Sequence, residues 1–331
     1  MLCIQNAATS REYLGLPTEI APSDGPKRKV VVVGGGPGGM EAARVAAERG
    51  HEVTLFEAAD QIGGQITLAA KAPQRDQIAG ITRWYQLELA RLKVDLRLGT
   101  RADEATIADL RPDIVVLATG GQPFLSQVPE WGYDEDRERG LVVSTWDILS
   151  GAVEPGKNVL IFDSICEFAG VSAADYLADK GATVEIVTDD IKPGAAVGGT
   201  TFPTYYRSLY EKEVIMTSDL ALHRVYREGD SLVAVLENEY TGAQEERVVD
   251  QVVVENGVRP DEALYYALKD QSRNKGQVDI EALYAIQPQP ALATLDDDAD
   301  AGFVLFRLGD CTAPRNTHAA IYDALRICKD F

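Results

Sequence analysis

The feature that most constrains this chain is a glycine loop set between a strand and a helix. Lys29-Val-Val-Val-Val33 is a continuous β-branched run, the pattern of a strand buried on both faces. Gly34-Gly-Gly-Pro-Gly-Gly39 follows at once. Residues 40–49 are Ala-rich with apolar side chains on one face and read as a helix, which Gly50 ends; residues 51–56 read as the next strand. The span is a βαβ unit of about thirty residues, which demands a parallel sheet covered by helices. Within Gly34-x-Gly36-x-x-Gly39, the first glycine permits the tight turn. The second lets backbone approach a pyrophosphate at the helix N-terminus, with Pro37 and Gly38 completing the loop. The third allows close packing of helix on strand. Glu57 ends the second strand, 23 residues after Gly34, where an acid accepts hydrogen bonds from an adenosine ribose.

Further strands are expected at 94–98, 113–118, 158–162, 183–187, 214–216, 221–227, 232–237, 250–254 and 303–308. Helices are expected at 78–92, near 170–180 and at 319–329. A second βαβ unit therefore starts at Asn158, 129 residues after Lys29. The expected fold class is α/β: two doubly wound Rossmann-like domains, the second inserted in the first. The expected boundaries are a lead-in at 1–28, a nucleotide-binding domain at 29–150 and 256–331, and an inserted domain at 151–255. The acidic run Asp296–Asp300 reads as a solvated loop.

Composition narrows the classes of partner. The 331 residues include 52 Asp and Glu against 32 Lys and Arg, a net charge of −20, which repels nucleic acid and anionic membranes. No apolar run approaches the roughly 18 residues of a membrane span. Residues 1–26 lack the basic-then-apolar plan of a secretory signal. Four scattered cysteines, Cys3, Cys166, Cys311 and Cys328, make no disulfide framework, so a cytoplasmic setting is expected.

Three other segments resemble flavoproteins built from two dinucleotide domains. Ile62-Gly63-Gly64-Gln65 resembles their second glycine pair, Ala118-Thr119-Gly120 the turn closing the first cofactor segment, and Gly309-Asp310 the acid that holds a ribityl chain. The segment Cys3-Ile-Gln-Asn-Ala-Ala-Thr-Ser-Arg-Glu-Tyr13 resembles the junction of the trimethylamine dehydrogenase and 2,4-dienoyl-CoA reductase family of NADH:flavin oxidoreductases. Residues 307–326, Arg-Leu-Gly-Asp-Cys-Thr-Ala-Pro-Arg-Asn-Thr-His-Ala-Ala-Ile-Tyr-Asp-Ala-Leu-Arg, resemble its C-terminal signature. In Val252–Gly257, Leu264–Gly276 and the last helix the chain most resembles the branch of dimethylglycine and N-methylproline demethylases. In that family an FMN-binding (β/α)8 barrel comes first, a cysteine-bound 4Fe–4S cluster follows, and two nucleotide-binding domains come last. The resemblance implies FAD, or ADP alone, in this chain. It also implies an FMN barrel and cluster on a partner or missing half, with Cys3 as fourth cluster ligand. Electrons would leave for an external acceptor such as an electron-transfer flavoprotein. Arg315 and His318, at the start of the last helix, are candidate cofactor contacts.

The chain departs from the family in lacking the barrel and the other three cluster cysteines. Its second unit also lacks the glycine triplet. Read from the strand, the three slots hold Asp163, Ile165 and Phe168; read from the helix, they hold Ile165, Glu167 and Gly170. An acid repels a pyrophosphate and a bulky side chain blocks backbone approach, so this unit is expected to be degenerate. Three functions follow in order: half of an amine N-demethylase with no catalytic residue in this chain, a self-contained NAD(P)H-dependent FAD reductase, and an ADP-binding scaffold. A working second glycine loop or a Cys-x-x-Cys pair would favour the reductase, and the sequence has neither.

Overall fold

A computed structural model describes residues 3–125, 140–296 and 302–331. Along the chain come β1 (Lys29–Val33), α1 (Pro37–Glu48), β2 (Glu52–Phe56), α2 (Gln65–Ala69), α3 (Ala79–Arg91), β3 (Asp95–Arg97), α4 (Glu104–Leu110), β4 (Ile114–Leu117), β5 (Gly121–Pro123) and β6 (Val143–Ser144). After these come α5 (Thr145–Ser150), β7 (Asn158–Asp163), α6 (Phe168–Asp179), β8 (Thr183–Val187), α7 (Phe202–Glu211), β9 (Ile215–Thr217), β10 (Ala221–Glu228), β11 (Ser231–Glu237), β12 (Gln244–Val249), β13 (Gln251–Glu255) and β14 (Val258–Pro260). The last elements are α8 (Ala263–Leu268), α9 (Ile280–Tyr284), α10 (Pro290–Ala293), β15 (Val304–Arg307) and α11 (Thr317–Cys328).

The chain divides into two compact units. Unit 1 is Met1–Thr67, Ile78–Gln122 and Arg259–Phe331; unit 2 is Leu68–Gln77 and Pro123–Val258. Unit 1 holds a five-stranded sheet of order β15-β4-β1-β2-β3, with every pairing parallel. The Val run of β1 faces two cores. Val30 and Val32 join Met40, Ala42 and Ile321 on one side, and Val31 and Val33 join Phe56, Ile107 and Cys311 on the other. β4 divides the same way, with Ile114 and Val116 to the first core and Val115 and Leu117 to the second. This is why these two strands read as unbroken apolar runs: past Lys29, neither face of β1 or β4 meets water. The lead-in is packed rather than free, because Ala7, Ala8 and Leu16 are buried in the first core.

Unit 2 repeats the plan as a parallel five-stranded sheet, β6-β13-β7-β8-β9, and adds an antiparallel sheet, β10-β11-β12. Leu160 and Phe162 of β7 face one core, and Val159 and Ile161 the other. α1 starts at Pro37, three residues before the apolar pattern does, because proline at the first turn needs no N–H partner. The acidic run at 296–300 falls largely outside the described residues. Among the described residues no helix is long and apolar enough to cross a membrane.

Candidate nucleotide site

The glycines of the first loop divide by what surrounds them. Gly34 has φ +106°, and its N–H donates to the Phe56 carbonyl at 2.8 Å. A Cβ there would lie 2.2 Å from the Ala118 carbonyl oxygen, and one on Gly39 would lie 1.8 Å from the Gly34 carbonyl oxygen. Gly38 is buried in α1, where a Cβ would meet Leu308 at 2.6 Å. These three are packing glycines. Gly36 differs: a Cβ there would meet nothing within 4 Å. It caps the N-terminus of α1 in ordinary extended backbone, φ −71° and ψ −179°, so neither strain nor packing requires glycine. Its bare Cα borders open space at the positive end of a twelve-residue helix, the arrangement that accepts an anion closely.

The acid and the second glycine pair converge on this loop. Glu57 accepts the Gly35 N–H at 2.7 Å through one oxygen and the Ala59 N–H at 2.8 Å through the other. The Gly63 N–H donates to the Gly35 carbonyl at 2.8 Å. Gly64, at φ +52°, lies so close that a Cβ would stand 3.0 Å from the Gly36 Cα. Gln65 opens α2, and its Nε2 donates to Asp310 Oδ2 at 2.8 Å. The other Asp310 oxygen accepts the Arg315 N–H at 3.0 Å. Sequence positions 34–36, 57, 63–65 and 309–310 thus make one linked set around the start of α1. The residues fit an adenine dinucleotide: open space at the helix end for the diphosphate, a carboxylate at the end of β2, and a second carboxylate held beside Gln65.

The remaining candidates have other partners. The Thr119 hydroxyl donates to the Asp261 carbonyl at 2.8 Å and the Gly120 carbonyl accepts the Asp261 N–H at 3.0 Å, so this turn fastens the chain where it returns to unit 1. The Arg315 side chain pairs with buried Asp323. His318 uses both ring nitrogens: Nδ1 lies 2.9 Å from the Cys3 carbonyl and Nε2 lies 2.8 Å from Arg11 Nη1. The carbonyl can only accept and the guanidinium only donate, so Nδ1 carries the proton and the ring is neutral. Burial lowers the His318 pKa, against the hydrogen bond to the Cys3 carbonyl, and the Arg11 charge adds to the lowering. The Arg11 guanidinium also lies 4.2 Å from the centroid of Tyr322. Sequence reading missed Arg11 as the partner of His318, since the two stand 307 residues apart with no local signal.

Cys3 is half-buried, and its sulfur accepts the Asn6 N–H at 3.4 Å. Cys166, Cys311 and Cys328 are buried, and burial raises each thiol pKa. Among the described residues no three His, Cys, Asp or Glu side chains group as they would around a metal ion. His51 is buried with burial lowering its pKa, and His223 lies near Glu237 in unit 2; neither joins the set around α1.

Residues 28–324 match the pyridine nucleotide-disulphide oxidoreductase family. The chain belongs to that family. It is 99% identical over its whole length to an N,N-dimethylglycine/sarcosine dehydrogenase of Chromohalobacter salexigens, of which it covers 48%. It is 44% identical, over 99% of its length, to a probable N-methylproline demethylase of Rhizobium meliloti, of which it covers 46%. The resemblance to dimethylglycine and N-methylproline demethylases read from the sequence therefore holds. A 2-naphthoyl-CoA reductase structure superposes on all of the chain with a TM-score of 0.80 at 26% identity, and 44% of that protein is covered. The chain thus spans about half the length of the curated relatives it matches.

Proposed function

We propose that this chain is the nucleotide-binding half of a flavin-dependent oxidative N-demethylase, with FAD or ADP held at Gly34–Gly39. The open cradle at Gly36 carries the reading: no neighbour or strained backbone demands glycine there, and its bare Cα leaves the α1 N-terminus, linked to Glu57 and Gly64, open to a ligand. Near-identity to a protein named as an N,N-dimethylglycine/sarcosine dehydrogenase supports small N-methylated amino acids as the substrate class.

In this reading the diphosphate sits on the α1 N-terminus, Glu57 accepts from the adenosine ribose, and Gln65 orients the Asp310 carboxylate toward the rest of the ligand. When bound on a (β/α)8 barrel outside this chain, FMN would supply the two-electron oxidation of the N-methyl group. Overall, one water and the N-methyl amine would give formaldehyde, the demethylated amine, two electrons and two protons. A 4Fe–4S cluster with Cys3 as one ligand, and an external acceptor such as an electron-transfer flavoprotein, complete the assembly, in the cytoplasm. Catalysis takes place on the barrel, and this chain contributes the nucleotide and the Cys3 thiol.

The test is formaldehyde release from N,N-dimethylglycine with an artificial electron acceptor. The protein joining this chain to its barrel should release it and the 331-residue chain alone should not. Failure of the joined protein on every N-methylated amino acid tried would overturn the reading.

A further inference from the structure

Unit 2 repeats the strand–loop–helix of unit 1, yet a different group fills its interior. Phe168, Ala169 and Gly170 open α6 as Pro37, Gly38 and Gly39 open α1, so Gly170 corresponds to Gly39 and the capping residue Glu167 to Gly36. In unit 1 the atom facing the third glycine is backbone, since the Gly34 carbonyl oxygen lies 1.8 Å from where a Gly39 Cβ would be. In unit 2 it is a side chain: a Cβ on Gly170 would lie 2.1 Å from Asp163 Oδ2 and 2.4 Å from its carboxyl carbon. The third glycine is retained, but it makes room for a carboxyl group instead of a turn.

Asp163 is fully buried at the end of β7. Its Oδ1 accepts the N–H groups of Ile165 at 3.1 Å and Cys166 at 2.9 Å, which fastens the loop from inside. Its Oδ2 has no hydrogen-bond partner among the described residues. Buried Glu255 is engaged nearby, accepting from the Thr145 hydroxyl and from the Gly257 N–H. Burial, and then the Glu255 charge, push the Asp163 pKa up to about 7. The loop is one residue longer than that of unit 1, four against three, with Cys166 at φ +56°. The Cys166 thiol lies 2.9 Å from the hydroxyl of buried Thr188, which stands where the second strand of a dinucleotide unit ends in a ribose-binding acid.

We propose that unit 2 has exchanged its dinucleotide site for an internal aspartate: the Asp163 side chain takes the volume that the close-approaching loop backbone takes in unit 1, and no NADH or NADPH binds there. The inference concerns unit 2 alone and stands or falls apart from the N-demethylase reading. Glu167 reinforces it, since an acid at the helix cap opposes the anion that Gly36 admits in unit 1.

Two measurements test it. The first is a double-mutant cycle read as thermal midpoints. Gly170 is helical with ordinary φ, and the three atoms nearest an added Cβ all belong to Asp163, so the Asp163 contact sets the cost of Gly170→Ala while the helix-propensity gain is common to both backgrounds and cancels in the cycle. It should lower the midpoint by several degrees in the parent chain and far less in an Asp163→Ala background. Equal shifts in both backgrounds would overturn the proposal. The second is calorimetric titration with NADPH of the Gly36→Val chain, in which unit 2 is the one dinucleotide domain with an unaltered loop. No saturable binding should appear below millimolar NADPH, and micromolar binding would overturn the proposal even if Asp163→Ala failed to fold.

Discussion

Gly36→Val and Gly39→Ala separate ligand binding from folding within one loop. A valine at 36 enters open space in backbone it can adopt. The folding cost is that of replacing glycine at a helix cap by a residue disfavoured there, about 1 kcal/mol. The branched side chain would, however, stand between the helix N-terminus and the diphosphate. Losing one or two charge-assisted hydrogen bonds there costs about 3 kcal/mol, roughly a hundredfold in Kd. Gly39→Ala reverses the balance. Its Cβ would stand 1.8 Å from the Gly34 carbonyl oxygen, so the turn must move by more than an ångström. Overpacking of that kind costs about 1–3 kcal/mol or more. The assay pairs thermal unfolding of the nucleotide-free chain with calorimetric titration by ADP, which probes the part common to FAD and ADP. The reasoning fails if Gly36→Val binds ADP like the parent, or if it loses as much stability as Gly39→Ala.

Three more expectations follow from the same geometry. Glu57→Ala should weaken ADP binding about ten- to hundredfold and also lower stability, because the Gly35 N–H loses its carboxylate partner; unchanged calorimetric affinity would remove Glu57 from the site. In the protein joined to its barrel, Cys3→Ser should lower iron content and alter the cluster's electron paramagnetic resonance while ADP affinity stays put. An unaltered cluster would exclude Cys3 as a ligand. Asp163 should make stability depend on pH. The folded chain holds this proton to about pH 7, whereas the ordinary value is 3.8, so the folded state binds more protons between the two and stability falls as pH rises through that window. The whole effect is about 4 kcal/mol at most. Asp163→Asn keeps the side-chain oxygen that accepts from Ile165 and Cys166 and should flatten the slope relative to the parent; an identical slope in both chains would show that Asp163 does not titrate there.

The parallel sheets were legible because their strands are buried on both faces, and such strands announce themselves as unbroken Val and Ile runs. β1, β4, β7 and β13 read correctly for that reason, within a residue or so at their ends. The glycine loop was legible as a pattern, but the pattern does not distinguish the packing glycines Gly34, Gly38 and Gly39 from Gly36, which is bare toward open space; that difference lies in what each Cβ would meet. Likewise the sequence places Asp163 in a glycine slot, yet only the fold turns its carboxyl inward against Gly170. Arg315 and His318 lie in the C-terminal signature as expected. The Arg315 side chain goes to Asp323, and the His318 ring to Cys3 and Arg11, more than 300 residues away, a pairing that leaves no periodic trace in the sequence.

The central claim is that the open cradle at Gly36 holds an adenine nucleotide. Its most direct measurement is the identity and stoichiometry of nucleotide released on denaturing the purified chain, together with the absorption spectrum before release. The account predicts one FAD, seen as a flavin spectrum, or one ADP, seen without it, per chain in the parent and neither in Gly36→Val. A parent chain that carries no nucleotide and takes up neither FAD nor ADP when they are supplied would contradict it.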